Sequence, residues 1–228
     1  MKGEGNLSKI NKERKGCKDV FNAFMVCDAT YGGEYEIPAI NVIDEIPNRL
    51  ISFSKAMEAK DSNYWIHFYE DDYKIERIWK NPQKYLQKLQ KFNGVITPDF
   101  SLYRDMPFVM QSWNTYRGRA IGHWLQTKGM AVIPNVRWGD SRTYDLCCEG
   151  VGNHSIISIG SHGCIKILRE REYFIQGLES VVRKLRPKNI VVYGSAPDYI
   201  FAKYKNSGIN ILQFNSECSL AHKRKRIA

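Results

Sequence analysis

The sequence lacks most of the patterns that would assign it quickly to a common class. No apolar run approaches the roughly 18 residues that a membrane-spanning helix needs. The polar first 16 residues have no apolar core of the kind found in secretory signals. The P-loop and the glycine motif of dinucleotide enzymes are both missing. We therefore expect neither a membrane protein nor an exported one, and neither a P-loop NTPase nor an ordinary dinucleotide enzyme.

The cysteines do not form a metal-binding pattern. There are six of them, but Cys17 and Cys27 lie ten residues apart, Cys147 and Cys148 are adjacent, and no CxxC pair occurs. Without an export signal they are expected to be reduced thiols in a cytoplasmic protein. The sequence therefore predicts no cofactor and no metal site. The alternative is a magnesium ion held by acidic residues that the fold would have to gather: Asp71, Asp72, Asp99 and Asp140.

The net charge of +10 is concentrated at the two ends of the 228 residues. We predict a basic N-terminal tail (1–18), a single α/β domain (19–220) and a basic C-terminal tail (221–228), because the middle segment carries only +2. Basic tails add salt-sensitive affinity for any polyanion. Nucleic acid, with DNA favoured, is therefore the expected partner, and no membrane partner is expected. The plain alternative is that the tails only keep the protein soluble.

From residue 64 onward, short apolar runs alternate with amphipathic stretches. The runs predict six strands, at 64–69, 94–97, 130–133, 155–159, 190–193 and 209–214. The longest predicted helix begins after Pro107 and ends at Gly129, with Val109, Trp113, Tyr116, Ala120 and Trp124 on one buried face. Strands that are apolar on both sides and alternate with helices are typical of a mostly parallel sheet flanked by helices. The sequence leaves open whether this α/β sheet is three-layered or a partly closed barrel.

Polar side chains follow almost every predicted strand. In parallel α/β folds, ligands bind beyond the carboxyl ends of the strands, so these positions are the candidate site. Asp99 can activate water or stabilise a developing cation, or it can simply cap the next turn. Asn135 offers a donor and an acceptor that suit a base edge, and Arg137 and Trp138 suit phosphate and ring stacking. An Arg–Asp network that pins the loop around Asp140 is the alternative.

The later strand ends supply the other candidates. His162 is a candidate acid, base or hydrogen-bond donor to a leaving group, and a Cys–His nucleophile with Cys164 is a less favoured alternative. The other predicted substrate-binding residues are Asp140, Tyr103, Ser161, Gly194 and Ser195. Phosphate is expected to be held by basic residues of the long helix and of the C-terminal tail, namely Arg117, Arg119, Lys223, Arg224, Lys225 and Arg226.

Five segments together resemble the domain-of-unknown-function family DUF4417. They are 93–103 (NGVITPDFSLY), 113–117 (WNTYR), 135–140 (NVRWGD), 160–164 (GSHGC) and 191–196 (VVYGSA). The resemblance runs from about residue 19 to 220 and leaves out both basic tails. It implies a role in genome handling or phage conflict, because the family is typical of Gram-positive bacteria, their phages and mobile elements. It implies no particular reaction.

The predicted architecture also loosely resembles the uracil-DNA-glycosylase-like fold. That resemblance implies a water-activating acid, a base-reading amide and a later histidine, which Asp99, Asn135 and His162 match in that order. We therefore expect a hydrolase of nucleic acid or nucleotides, most concretely a metal-independent, DNA-glycosylase-like enzyme. One alternative is a non-catalytic anti-defence or regulatory protein that binds a nucleotide or a host defence protein. A magnesium-dependent nuclease is the other.

Overall fold

The computed structural model describes residues 18–217 and residue 219. Of the two predicted basic tails, only Lys18 falls in this range. The rest of the N-terminal tail and all of the C-terminal tail, with Lys223 to Arg226, lie outside the described residues. None of the helices in the described part combines the length and the apolar character that a membrane crossing demands.

The described residues form nine strands, seven of them parallel. A short antiparallel pair, β1 (Tyr31–Gly32) and β2 (Ile37–Pro38), precedes the main sheets. Four parallel strands follow in sequential order: β3 (Leu50–Ser52), β4 (Trp65–His67), β5 (Gly94–Ile96) and β6 (Val132–Ile133). Three more form a second parallel sheet: β7 (Ile156–Gly160), β8 (Asn189–Tyr193) and β9 (Asn210–Phe214). One parallel bridge, between Asn135 and Ser158, joins the two sheets.

Consecutive strands within each parallel sheet are connected by α-helices. They are α1 (Phe53–Ala56), α2 (Asp72–Lys80), α3 (Pro82–Leu89), α4 (Phe108–Thr127), α5 (Leu168–Leu185) and α6 (Asp198–Asn206). The mixed α/β fold and the predicted helices after Pro82 and Pro107 are thereby confirmed. Each proline starts its helix because it needs no hydrogen-bond acceptor there and its φ is already helical.

The helices cover only one face of the sheets. Ile66, Val95 and Val132 on β4 to β6 pack with α2, α3 and α4 in one core cluster. Ile157 and Ile190 on β7 and β8 pack with α5 and α6 in a second cluster. This agrees with right-handed crossovers between strands laid down in one direction, which place successive helices on the same side.

The opposite face forms a third core cluster to which both sheets contribute. It joins inward side chains of seven strands, with partly buried Leu50 and Leu212 beside buried Trp65, Ile96, Ile133, Ile156 and Val191. Side chains from both sheets can meet this way only if the sheets curl towards each other. Of the two architectures left open by the sequence, the structure is therefore the partly closed barrel, with a seam between β9 and β3.

Two features differ from the sequence prediction. The strand β3 was not predicted, because its three residues give too short a pattern to stand out. On α4, Ala120 and Trp124 are buried as expected, but Val109 is 73% exposed and Trp113 is 39% exposed. The first half of α4 instead buries Gln111 and Thr115, so the predicted apolar face is correct only for the second half.

The interior of the barrel contains one buried histidine. His67 on β4 lies with its ring centroid 4.4 Å from that of Tyr193, and its Nδ1 accepts the backbone N–H of Tyr69. Burial lowers the pKa of His67 to about 4, with Glu217 opposing the shift and Lys55 adding to it. The imidazole is therefore neutral in the folded protein at neutral pH.

This burial predicts an acid-sensitive fold. The unfolded chain binds a proton at His67 near pH 6.5, whereas the folded chain resists it until about pH 4. Stability is therefore lost as pH falls from about 6.5 to 4, by about 3 kcal/mol. Urea unfolding at several pH values should show a smaller loss in His67→Asn, whose amide oxygen can still accept the Tyr69 N–H. His154→Asn, at an exposed position, should keep the wild-type pH dependence. An unchanged dependence in His67→Asn would contradict the assignment.

Candidate functional site

A large pocket opens at the carboxyl ends of the parallel strands. Its volume is about 1250 Å³, and its walls come from the loops that follow β4, β5, β6, β7 and β9 and from the start of α5. Ser216 and Glu217 extend the wall across the seam, where Glu217 forms an ion pair of 2.8 Å with Lys55. The pocket lies where ligands bind in parallel barrels. Among the predicted residues it gathers Asp99, Tyr103, Arg137, Trp138, Asp140 and His162.

Asp99 is a fixed and largely buried carboxylate of this pocket. Its Oδ1 accepts a hydrogen bond of 2.7 Å from Asn135 Nδ2, and its Oδ2 accepts one of 2.5 Å from Arg137. Its side chain is only 11% exposed. Burial raises the pKa of Asp99, although Arg137 and Asn135 act in the opposite direction and nearby Asp72 adds to the rise. Two directed donors and restricted access to water make this carboxylate suited to a developing positive charge.

Asn135 is buried and hydrogen-bonded within the protein, with Asp99 as one of its partners. Its backbone N–H donates to Thr97 Oγ1 and its carbonyl accepts from Arg119, while its side-chain oxygen accepts from the Tyr69 hydroxyl. With the Nδ2 bond to Asp99, every polar group of this buried residue has a protein partner. This corrects the expectation that Asn135 reads a base edge. It is a positioning residue for the carboxylate.

The chain of hydrogen bonds continues into the barrel. The Tyr69 hydroxyl lies 2.7 Å from Ser158 Oγ, and the Tyr69 ring stacks on Tyr193 with a centroid distance of 4.6 Å and an interplanar angle of 7°. Tyr69, Ser158 and Tyr193 were not predicted as site residues. Their signal in the sequence is position alone: Ser158 lies within β7, Tyr193 ends β8 and Tyr69 follows β4. A buried polar residue at such a position needs a partner.

Trp138 lines the pocket but is also held by α5. Its ring centroid lies 5.5 Å from that of Phe174, and its Nε1 donates to the Tyr173 carbonyl at 3.3 Å. The close approach depends on Gly177, because a Cβ there would lie 2.0 Å from Trp138 Nε1. Only part of the indole therefore remains to stack on a ligand.

Gly177→Ala is expected to displace Trp138 and to lower the free energy of unfolding by about 1–3 kcal/mol, the usual cost of overpacking. Gln176→Ala, one residue away on the exposed side of α5, should change it by less than about 0.5 kcal/mol. Urea denaturation followed by tryptophan fluorescence measures both. Equal stability of the two variants would show that the packing of Trp138 against α5 does not require a glycine at position 177.

The loop after β6 is pinned by an arginine–carboxylate network, as the sequence alternative proposed. Asp140 accepts hydrogen bonds from Arg142 at 2.9–3.2 Å, and Arg142 also donates to the Arg104 carbonyl. Arg104 in turn donates two hydrogen bonds, of 2.8 and 2.6 Å, to Glu170 at the start of α5. These bonds tie three walls of the pocket together. Asp140 therefore acts in the wall rather than as a free ligand-binding group.

The remaining predicted residues divide into two groups. His162 and Tyr103 reach the pocket; both are exposed, and His162 Nδ1 lies 3.2 Å from Ser216 Oγ. Ser161 is fully buried and its hydroxyl donates to the Ser195 carbonyl at 2.7 Å. Gly194 adopts φ 120°, and a Cβ there would lie 2.5 Å from Ser161 Oγ. Ser161, Gly194 and Ser195 thus build the turn behind His162.

Arg117 and Arg119 are buried and bonded within the protein. Arg117 forms a 2.7 Å ion pair with Glu76 and lies over the Phe100 ring. Arg119 donates to the carbonyls of Asn135 and Cys147, and burial lowers its pKa to about 10. This corrects the expectation that the two guanidinium groups hold phosphate. The apolar periodicity of α4 could not reveal it, because both arginines are polar residues that are nevertheless buried in the helix.

Acidic groups at the pocket do not converge on one point. Asp71 pairs with Lys74, Asp72 accepts the Ser101 N–H, and Asp99 is held by Arg137. Over residues 18–217, no group of three or more His, Cys, Asp or Glu side chains is arranged to hold a metal ion. The alternative of a magnesium ion held by Asp71, Asp72, Asp99 and Asp140 therefore finds no assembled cluster among the described residues.

Comparisons with known proteins agree with the sequence resemblance. The family model described as Domain of unknown function (DUF4417) matches residues 29–215. The Gene 1 protein of Mycobacterium phage L5 is 32% identical over 179 residues, which cover 77% of each chain. The Gene 1 protein of Mycobacterium phage D29 is 31% identical over 179 residues, covering 77% of this chain and 66% of the relative. No solved structure matches significantly, so the likeness to uracil-DNA glycosylases gains no support.

Proposed function

The chain belongs to the DUF4417 family, which has phage relatives and no stated activity, and we propose that it is a metal-independent hydrolase of N-glycosidic bonds in nucleic acid or nucleotides. The observation that carries this proposal is Asp99, a buried carboxylate held by Asn135 and Arg137 at a pocket of about 1250 Å³. A pocket of that size accommodates a nucleoside unit.

Cleavage of an N-glycosidic bond creates positive charge on the sugar. As the bond from C1′ to the base breaks, its electron pair leaves with the base and an oxocarbenium ion develops. Asp99 stabilises this cation, because a fixed charge in a site of low polarity acts strongly on it. Water then adds to C1′ and its proton passes to the Asp99 carboxylate. The raised pKa of Asp99 makes the carboxylate a better base for this step.

Two further features suit the same reaction. His162 stands on the wall of the pocket and can donate a hydrogen bond to the departing base. Seven aromatic side chains line the pocket, and the two most exposed, Tyr73 and Tyr103, offer ring faces near its mouth. Aromatic rings are the usual contact for a base that has been taken out of a stack. DNA is the favoured substrate, with the base entering the pocket and the phosphates remaining outside.

The test is release of a free base. The protein is incubated with nucleosides and with single- and double-stranded DNA, modified and unmodified, and free bases and abasic sites are quantified by chromatography. We expect base release that persists in EDTA. Loss of activity in EDTA, with strand cleavage instead of base release, would identify the magnesium-dependent nuclease. Ligand binding without any product would identify the non-catalytic alternative, and either result would overturn the proposal.

A further inference from the structure

The lining of the pocket has the opposite charge to the rest of the protein. The chain has a net charge of +10, yet among residues 18–217 the pocket lining contains eight carboxylates and only four lysine or arginine side chains. A phosphate-binding pocket would show the reverse balance. The excess of carboxylates is therefore a property of the ligand site itself.

Ion pairs remove only part of this excess. Five of the eight carboxylates pair with a cation. Within the described residues, Glu70, Asp72 and Asp105 have no ion pair, and Arg169 is the single lining lysine or arginine without one. Among the described lining residues, two negative charges thus remain without a compensating cation. One of the three carboxylates, Asp72, is close enough to Asp99 to raise its pKa.

The same walls carry the seven aromatic rings. Ring faces attract cations through their negative quadrupole, and the attraction grows when water is excluded. Arg104 already lies 4.2 Å from the centre of the Tyr173 ring, but Tyr103 makes no ring contact within the described residues and is 55% exposed. Aromatic faces together with unpaired carboxylates are the features that recognise a flat, positively charged ligand.

We propose that the pocket selects a cationic base, an N-alkylated purine, over its neutral counterpart. This inference rests on the proposed function, since it names the substrate class of that site. The chemistry fits, because a cationic base accepts the electron pair of the broken bond and leaves as a neutral molecule. The proton that His162 would otherwise share with the base is then not required. His162→Ala should therefore slow release of a neutral base at least about tenfold more than release of an alkylated one.

Binding tests the inference without relying on catalysis. The probes are two isomers, 1-methyladenosine, which is cationic at pH 7, and N6-methyladenosine, which is neutral. Titration calorimetry with the whole protein at low salt should show at least about tenfold tighter binding of the cation. The preference should shrink as sodium chloride is added, because salt screens the attraction.

Single substitutions show which carboxylates attract the cationic ligand. Asp72→Asn and Asp105→Asn each remove one unpaired charge and should weaken binding of 1-methyladenosine about three- to tenfold, with little change for N6-methyladenosine. Asp44→Asn, exposed and outside the pocket, should change neither. Equal or weaker binding of the cation, or no binding of either isomer, would overturn the inference. Asp99-dependent release of a neutral base would in that case still uphold the proposed function.

Discussion

Asp99→Asn is expected to lower the rate of base release by about a thousandfold, the scale of losing a directed electrostatic contact to a transition state. The amide keeps the size of the side chain but has no negative charge to stabilise the sugar cation and no basic oxygen to accept the proton of water. Substrate binding should change much less, because the charge develops only as the bond breaks. Single-turnover rates and equilibrium affinity, measured on the same substrate, separate the two effects.

The control is an aspartate-to-asparagine substitution outside the pocket. Asp44→Asn should release base at the wild-type rate, since Asp44 is exposed and outside the pocket. The wild-type rate should also fall at acid pH with a midpoint above the ordinary value for an aspartate, because burial raises the pKa of Asp99. This acid limb should be missing from whatever activity Asp99→Asn retains. An Asp99→Asn enzyme as fast as wild type would remove Asp99 from the mechanism.

Asn135→Asp is expected to have the second-largest effect. It places a second carboxylate within hydrogen-bond distance of Asp99, and two adjacent carboxylates tend to share one proton. The pKa of the pair is then raised well beyond that of Asp99 alone, so activity at neutral pH should fall by about a hundredfold. Activity should recover in part as pH rises. This recovery identifies a positioning role for Asn135, because raising the pH would not restore activity to a variant that is merely misfolded.

Asn41→Asp provides the matched comparison, because Asn41 is exposed and uses only its backbone in hydrogen bonds to Gln126. Its pH–rate profile should overlay that of the wild type. Circular dichroism confirms that each variant is folded at the pH values used. A pH–rate profile of Asn135→Asp that is lowered uniformly, with no shift along the pH axis, would contradict the positioning role.

Which features could be predicted from the sequence depended on the length of each apolar pattern. The parallel order and the carboxyl-end location of Asp99, Arg137 and His162 followed from apolar runs long enough to recognise. Whether the sheet closes could not be predicted, because closure depends on contacts between inward side chains of distant strands, such as His67 on β4 and Tyr193 on β8. Periodicity likewise cannot show which polar groups are already hydrogen-bonded to other residues of the protein. Asn135 has the right chemistry to read a base, but its partners occupy it.

The bridge between Asn135 and Ser158 has a consequence for motion in the protein. The two sheets meet at that bridge, and Val136 and Ser158 add backbone bonds of 2.8 and 2.9 Å on either side of it. Each sheet is a unit with its own outer core, but the two units share the inner cluster of the barrel, so local opening of one disturbs the other. Asn135, at the bridge, also holds Asp99 through its side-chain amide. A ligand that fills the pocket should therefore slow amide hydrogen exchange in both units at once, including strands that it never touches.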